Sequence, residues 1–431
     1  MQHFFIVCYN VKAVVLLCLG KLLITFLFHI IIIATHTRYI ITLEKSCTTK
    51  IVMAVTNDLV ADRRVARHAM ALHEAGYEVV VVGRLLQDSL PIKEMPWRTE
   101  RLRLRNRRGW RFYAEINFRL AKWIAAQRPD IVWANDTDTL IGCYLASRRV
   151  GARLVMDAHE LFPEVPEIQH KPLVKWIWRE IERCLMPRCD ARLTVCQSIA
   201  DYYKRTLGVK MEVVRNLSSG LTPDSTPCGE ESGMQVVSTH LSAEREAGGK
   251  ALLLYQGCVN EGRGVDWAID AMEFLPECRL VVAGGGDLLE RMKNYASSKA
   301  WCDRVTFLGR LQPNELMRLT PRADVGLVML EDKGLSYHFA LPNRIGDFVA
   351  AGVPMVVSDL PEMAAVVREF DVGEVIEKRE AKSEKREARL LADAVRKVLA
   401  RGKEHFDFAA ARADMDWNKE KQKLLTLTLN L

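Results

Sequence analysis

Short apolar runs alternate with stretches of helical spacing, and they do so twice along the chain. No other feature constrains the fold as much. The first series opens with "KIVMAV" (50–55) and a helix over 62–76, in which Val65, Ala69, Leu72 and Ala75 share a face and Gly76 marks the end. It continues through "YEVVVVG" (77–83), a helix at 112–127, "DIVWAN" (130–135), a helix at 137–149 and "ARLVMDA" (152–158). A longer helix around 171–187, "ARLTVC" (191–196), a helix from Ser198 to Thr206 and "MEVVRN" (211–216) close it. The second series starts at "ALLLYQG" (251–257) and a helix at 264–273. "RLVVAGGG" (279–286), a helix at 287–299, "RVTFLG" (304–309), "ADVGLVML" (323–330), "PMVVS" (354–358) and "GEVIE" (373–377) follow, with helices at 389–401 and 405–427. Strands that alternate with helices predict parallel sheets with helices on both faces, here in two halves.

Two segments stand outside this pattern. From Ser218 to Lys250 the chain is rich in Ser, Gly and Pro and reads as a linker widened into a surface excursion. Residues 1–49 form a hydrophobic leader. Its longest stretch without Lys, Arg, Asp or Glu runs over 16 residues, Leu22 to Thr37, against the roughly 20 that a spanning helix needs. If residues 13–34 span, Lys21 falls near mid-bilayer, an expensive position. A signal anchor, a cleaved signal peptide and upstream sequence before the true start all remain open. The cleaved signal fits worst, for want of a small-x-small site. "KIVMAV" reads as a natural opening strand, so the chain from Lys50 is expected to fold without the leader. The expected organisation is leader 1–49, first domain 50–217, linker 218–250, second domain 251–400 and a C-terminal helical segment, 401–431, packing back across the cleft.

The charge balance excludes less than the motifs do. A net charge of +7 suggests anionic partners without requiring nucleic acid. The 11 cysteines include no C-x-x-C pair and read as reduced thiols, and no metal site is expected. Neither half has G-x-G-x-x-G after its first strand, and there is no P-loop lysine pattern, so neither a dinucleotide oxidoreductase nor an NTPase is supported.

From about residue 50 to the end, the chain resembles the retaining GT-B glycosyltransferases of family 4. The resemblance rests on the order and spacing of several segments. In the first half these are "TNDLVADRRVARHAMALHEAGYEVVVVG", "PDIVWANDTDTL" and "LVMDAHELFPE". In the second they are "YQGCVNEGRGVDWAIDAM", "RLVVAGGGD", "VTFLGRLQPNELMRL", "ADVGLVML" and "LPNRIGDFVAAGVPMVVSDLPEM". It implies an α/β fold of GT-B type, with two Rossmann-like doubly wound domains facing a central cleft. It also implies transfer of a sugar from a nucleotide diphosphate sugar to a glycan or lipid-linked acceptor, with retention, no cofactor and no obligatory metal. Such an enzyme would serve cell-surface polysaccharide or glycolipid synthesis from the cytoplasm; the basic residues of 98–111 make an anionic membrane surface a candidate partner, and without an aromatic stacking signature no nucleic acid is expected. The alternative is a weakened nucleotide-sugar-binding protein, or a nucleotide-sugar epimerase of the same architecture.

The same resemblance assigns roles to residues. Asp347 matches the acid that accepts hydrogen bonds from the donor ribose. The family's preceding acid falls on Phe339, so its role is missing or supplied elsewhere. Arg263, beside Gly264, matches a phosphate-clamp cation; the partner arginine falls on Cys258, and Arg344, next to Asn343 in "LPNR", is a candidate substitute. The turn at Gly285 could offer backbone N–H groups to the nucleotide or be only a tight turn. His159 matches a histidine beside the transferred sugar, where imidazole can donate or accept. Asn57, Asp58 and Glu160 are acceptor-side candidates. Asp136 or Thr137 reads as a helix N-cap, as does Asp62.

One further stretch stands out. "RTERLRLRNRRGWR" (98–111) carries seven Arg and one Glu between Trp97 and Trp110, and "KPLVKWIWREIER" (171–183) adds Trp176 and Trp178. A lipid headgroup or lipid diphosphate would suit this stretch, and a charge-guarded edge strand would explain it equally.

Overall fold

The structure is a computed structural model. It describes residues 48–59, 62–87, 89, 91–92, 94–217, 249–376 and 386–431. The leader up to residue 47, the linker at 218–248 and the charged run at 377–385 lie outside the described residues.

Seven strands form one sheet: β1 (Lys50–Ala54), β2 (Glu78–Leu85), β3 (Arg98–Arg103), β4 (Ile131–Asn135), β5 (Arg153–Ala158), β6 (Ala191–Thr194) and β7 (Glu212–Val213). Their order is β3-β2-β1-β4-β5-β6-β7. The registered pairs are parallel, with Val52 opposite Val80 on one side and Val132 on the other. Six strands form the second sheet: β8 (Ala251–Gln256), β9 (Cys278–Ala283), β10 (Val305–Gly309), β11 (Val325–Val328), β12 (Met355–Ser358) and β13 (Gly373–Ile376). Their order is β10-β9-β8-β11-β12-β13, again parallel. Central strands such as β1 and β12 are apolar and buried nearly end to end, as expected of strands covered on both faces.

The chain divides into two compact units. Among the described residues, one comprises those up to His159, with 178–193 and 427–431, and the other those in 160–177 and 194–426. The elements lie close to where periodicity puts them, with instructive exceptions. The strands expected at 191–196 and 211–216 shorten to β6 and β7. Ala75, expected on the buried face of the first helix, is exposed just past its end. The single helix expected at 405–427 is broken into Ala409–Asp414 and Trp417–Leu429. The break has a local cause, because the Asp416 carboxylate accepts from the backbone N–H of Asn418 at 2.9 Å and restarts the helix. Among the described residues, no helix is long and apolar enough to cross a membrane.

The last helix is tied to its unit by a buried acid. Glu420 is fully buried and accepts from the backbone N–H and the Nε of Arg215, at 3.0 and 2.9 Å. Arg215 also reaches Asp414, and Lys423 reaches Glu420 from one turn away. Removing the arginine leaves Glu420 with Lys423 as its one ion-paired cation among the described residues. Arg215→Ala should therefore cost about 2–4 kcal/mol, read as a lowered urea midpoint of the second unit. An unchanged midpoint would mean that Lys423 suffices.

Candidate functional site

In the first unit, the polar groups gather where β1, β4 and β5 end. β5 carries an acid in its buried interior, Asp157, and the next polar side chain is His159. Asp157 is held bidentately by Arg64, whose Nη2 lies 2.7 Å and Nε 3.0 Å from the carboxylate; the arginine is itself buried on the helix Arg63–Glu74. His68, one turn further on, places Nδ1 3.3 Å from the same carboxylate. His159 receives two acids. Its Nδ1 is 3.2 Å from Asp136 Oδ2, and its Nε2 is 3.5 Å from Asp157 Oδ2. Its backbone N–H also donates to Asp136 Oδ1 at 2.8 Å.

Asp136 therefore does not act as the capping side chain that its position suggests. It occupies the cap position of the helix Thr137–Val150, but its carboxylate turns to His159 and no side-chain cap bond forms. Its φ of +61° is unusual for a non-glycine residue and marks the turn that aims it there. Thr137 does not cap either, since its hydroxyl donates to buried Glu182 at 2.7 Å. Asp62 does cap its helix, accepting from Val65 N at 3.1 Å, and its other oxygen accepts from Asn57 at 2.7 Å. Asp58 pairs with Arg101 at 2.8 Å.

This network fixes the protonation states. Burial pushes His68 down to about 4, with the Arg64 charge adding to the effect, so its ring is neutral. Burial also works against a charged His159, but the carboxylates of Asp136 and Asp157 outweigh it and hold the imidazole well above its ordinary 6.5. Burial would raise Asp157, but Arg64 and His159 hold it well below 3.8. His159 is thus an imidazolium, a donor at both nitrogens. The 3.5 Å separation at Nε2 is too long for a good hydrogen bond, and that nitrogen is itself buried.

In the second unit the polar groups gather at the end of β8. The Gln256 side chain donates to Asp347 Oδ2 at 3.0 Å and accepts from Thr320 at 2.9 Å. Asp347 lies on the helix Asn343–Ala351, whose exposed first residue is Asn343. Arg344 was the candidate second phosphate ligand. It is buried instead, with Nη1 donating to the Gln256 carbonyl at 3.0 Å and Nη2 to the Met329 carbonyl at 3.2 Å. Its guanidinium also lies over the Tyr255 ring, 4.8 Å from the centroid. The side chain pins its helix across two strand ends and does not offer an open fork.

Arg263 differs. Its guanidinium stacks over Tyr337, 4.8 Å from the ring centroid, and no described acid is ion-paired to it; nearby Glu261 and Glu331 pair with Lys333. Gly264 has φ +65°, and a Cβ there would meet Met329 Cβ at 2.6 Å. Beyond β9, Gly284 lies so close to the chain that a Cβ would sit 1.7 Å from the Gly257 carbonyl oxygen. At Gly285 a Cβ would meet nothing nearer than 3.7 Å, so the space above it is open. Glu160 accepts from Ser336 Oγ at 3.3 Å, and Phe339 ends the short helix Leu335–His338.

The comparisons with known proteins agree with this architecture. The family model Glycosyltransferase Family 4 matches residues 61–219, and Glycosyl transferases group 1 matches residues 250–404. The curated proteins gave no match. Among solved structures, sucrose-phosphate synthase from Thermosynechococcus elongatus superposes with a TM-score of 0.63 at 18% identity, covering 88% of this chain and 94% of that one. HepE from Anabaena, in complex with UDP and glucose, gives 0.65 at 14%, covering 89% and 100%. The UDP-forming trehalose-phosphate synthase from Burkholderia vietnamiensis gives 0.58 at 16%, covering 88% and 97%. The chain belongs to the GT-B glycosyltransferases.

Sequence reasoning did not single out several members of the transferase's two polar clusters. Asp157, Arg64 and His68 were passed over, as were Gln256 and Tyr337. An acid inside an apolar strand, "VMDA", was the signal for Asp157, because a buried carboxylate needs a buried partner. Nothing in the local pattern distinguishes Arg64 from the exposed Arg63 beside it.

The electrostatics have a pH signature. Folding raises the His159 pKa, so its protonation adds stability that is full below 6.5 and fades as pH rises through the folded value. Asp157 is depressed, so its contribution is full above 3.8 and fades as pH falls through its folded value. In Asp136→Asn the His159 ring resonances should titrate at lower pH than in the parent, and the loss of stability with rising pH should shrink. An unmoved titration would assign the raised pKa to Asp157 alone.

Proposed function

We propose that the transferase moves a sugar from a nucleoside diphosphate sugar to a glycan or lipid-linked acceptor, with retention of anomeric configuration, in the synthesis of a cell-surface polysaccharide or glycolipid. The observation that carries this reading is Arg263, a guanidinium oriented by Tyr337, ion-paired to no described acid and set in a Gly-flanked loop of the unit that holds Asp347. A fixed cation there suits a diphosphate, and Asp347, steadied by Gln256, suits two ribose hydroxyls. The UDP bound by Anabaena HepE supports uridine as the first base to test.

As the anomeric carbon–oxygen bond to the diphosphate breaks, negative charge grows on the leaving oxygens, and Arg263 stabilises it. The acceptor oxygen forms the new bond to the same carbon and passes its proton to the departing diphosphate oxygen. His159, held as an imidazolium, sets a positive charge beside the hydroxyls of the transferred sugar. Glu160 reaches the helix that ends at Phe339, and so brings a carboxylate to an element where the family's acid is replaced.

Donor binding is tested by thermal shift with UDP-, GDP- and ADP-sugars. Arg263→Ala should weaken the best donor about tenfold or more. Parental affinity in that variant would remove the clamp assignment. In turnover, Asp347→Asn should raise KM and largely spare kcat, because ribose contacts are alike in ground and transition states. His159→Ala should lower kcat and leave nucleoside diphosphate binding nearly unchanged. Phe339 and Cys258 stand where an acid and a cation are expected and favour one rival, a binding protein without turnover. A variant series that shifts donor affinity while no acceptor class yields product would select that rival.

A further inference from the structure

The helix Gly109–Gln127 follows the edge strand β3 and carries the most exposed aromatic side chains of the first unit. Trp110 is 75% exposed and Phe118 71%. Folded chains rarely leave two large aromatics in water on one helix without a use for them. The exposed positions run from Trp110 and Arg111 through Ala114 and Phe118 to Lys122, a stripe at helical spacing. The opposite side, with Phe112, Ile116, Leu120 and Ile124, is buried and fixes the helix on the sheet.

The charge around this stripe has one sign. From Arg98 to Arg128 the chain holds nine Arg and one Lys against two Glu. Both acids are engaged away from the stripe. Glu100 pairs with Arg98, and Glu115 accepts from the backbone N–H groups of Arg105 and Asn106 and from Arg119. Arg101 is drawn off by Asp58. Arg107 and Arg108 are exposed just ahead of the helix, and Arg111 lies against the Trp110 ring, 5.5 Å from its centroid. None of these three is ion-paired to a described acid, although Arg107 does donate to Gln87. They surround the aromatics instead of being neutralised.

We propose that this stripe docks the protein on an anionic lipid bilayer, with Trp110 and Phe118 entering the headgroup region and Arg107, Arg108, Arg111 and Lys122 meeting lipid phosphates. The choice of occupant follows from the chemistry. A helix lying in the interface needs an apolar edge bounded by long basic side chains whose stems can follow the rings down while their charges stay in water. An RNA would also welcome the arginines, but the two aromatics project from a convex helix and form no groove for stacked bases. This inference does not depend on the donor or on the reaction.

The test uses the full chain and reads position as well as binding. Hydrogen–deuterium exchange is followed over 103–122 with vesicles of phosphatidylcholine alone and with vesicles containing about one-third phosphatidylglycerol, a composition chosen to give a strongly negative surface. Protection of this stretch by the anionic vesicles only, weakening with added salt, is expected. Arg107→Glu with Arg108→Glu should reduce that protection at least about tenfold in apparent affinity. Trp110→Ser with Phe118→Ser should reduce it while any residual binding stays salt-sensitive. Donor binding should be unchanged in both variants, which shows that they are folded. Vesicle binding without protection of 103–122 would place the contact elsewhere on the chain and overturn the proposal. Equal protection by phosphatidylcholine alone, or tighter protection by a single-stranded RNA oligomer, would overturn it as well.

Discussion

Parallel strands covered on both faces leave polar side chains little room except at the strand ends. In both sheets the central strands are mostly Val, Ile, Leu, Met and Ala, with Trp133 and Tyr255 among them, and their side chains are at or near zero exposure. The first polar groups along β1, β4 and β5 are Thr56, Asn135 with Asp136, and Asp157 with His159. Along β8, β11 and β12 they are Gln256, Glu331 and Ser358. The site chemistry of each unit is therefore set at the carboxyl edge of its sheet. The helices that follow contribute by docking there: Arg344 donates to the carbonyls that end β8 and follow β11, and Leu330 N–H donates to Ser358 Oγ at 2.9 Å.

Asp157 breaks the rule of apolar strands and shows what that requires. A carboxylate with no exposure must be paired, and Arg64 meets it with a bidentate fork. Once that ion pair is in place, its residual negative field is available to His159, and Asp136 adds to it from the neighbouring strand end. The charge of His159 thus depends on a residue it shares with the core. His68 completes the arrangement by staying neutral, since a second imidazolium beside Arg64 would have no acid left to offset it.

The alternation of strands and helices was legible because burial on both faces writes itself as continuous apolar runs, as in "YEVVVV". The placement of Arg263, Gly264 and His159 just past strand ends was legible for the same reason, since each follows an apolar run at short range, whereas Asp347, on the helix ahead of β12, was marked only by the family resemblance. What could not be read were partners distant in sequence. Gln256 and Asp347 are 91 positions apart, and Arg64 and Asp157 are 93 apart. The broken C-terminal helix was missed for a local reason. Its apolar spacing runs through Met415, and only the turn chemistry of Asp416 marks the break.

Arg263 and Arg344 show how environment divides one residue type into two roles. Both lie at the edge of the second sheet and both stack on a tyrosine at 4.8 Å. Arg344 is buried, and a guanidinium in that position needs acceptors, which two backbone carbonyls provide. With its fork engaged there, an anion could compete only by undoing the helix docking that holds Asp347 beside Gln256. Arg263 rests on its ring, and among the described residues no carboxylate or carbonyl claims it. One arginine is committed to docking its helix, and the other keeps its charge unpaired among the described residues.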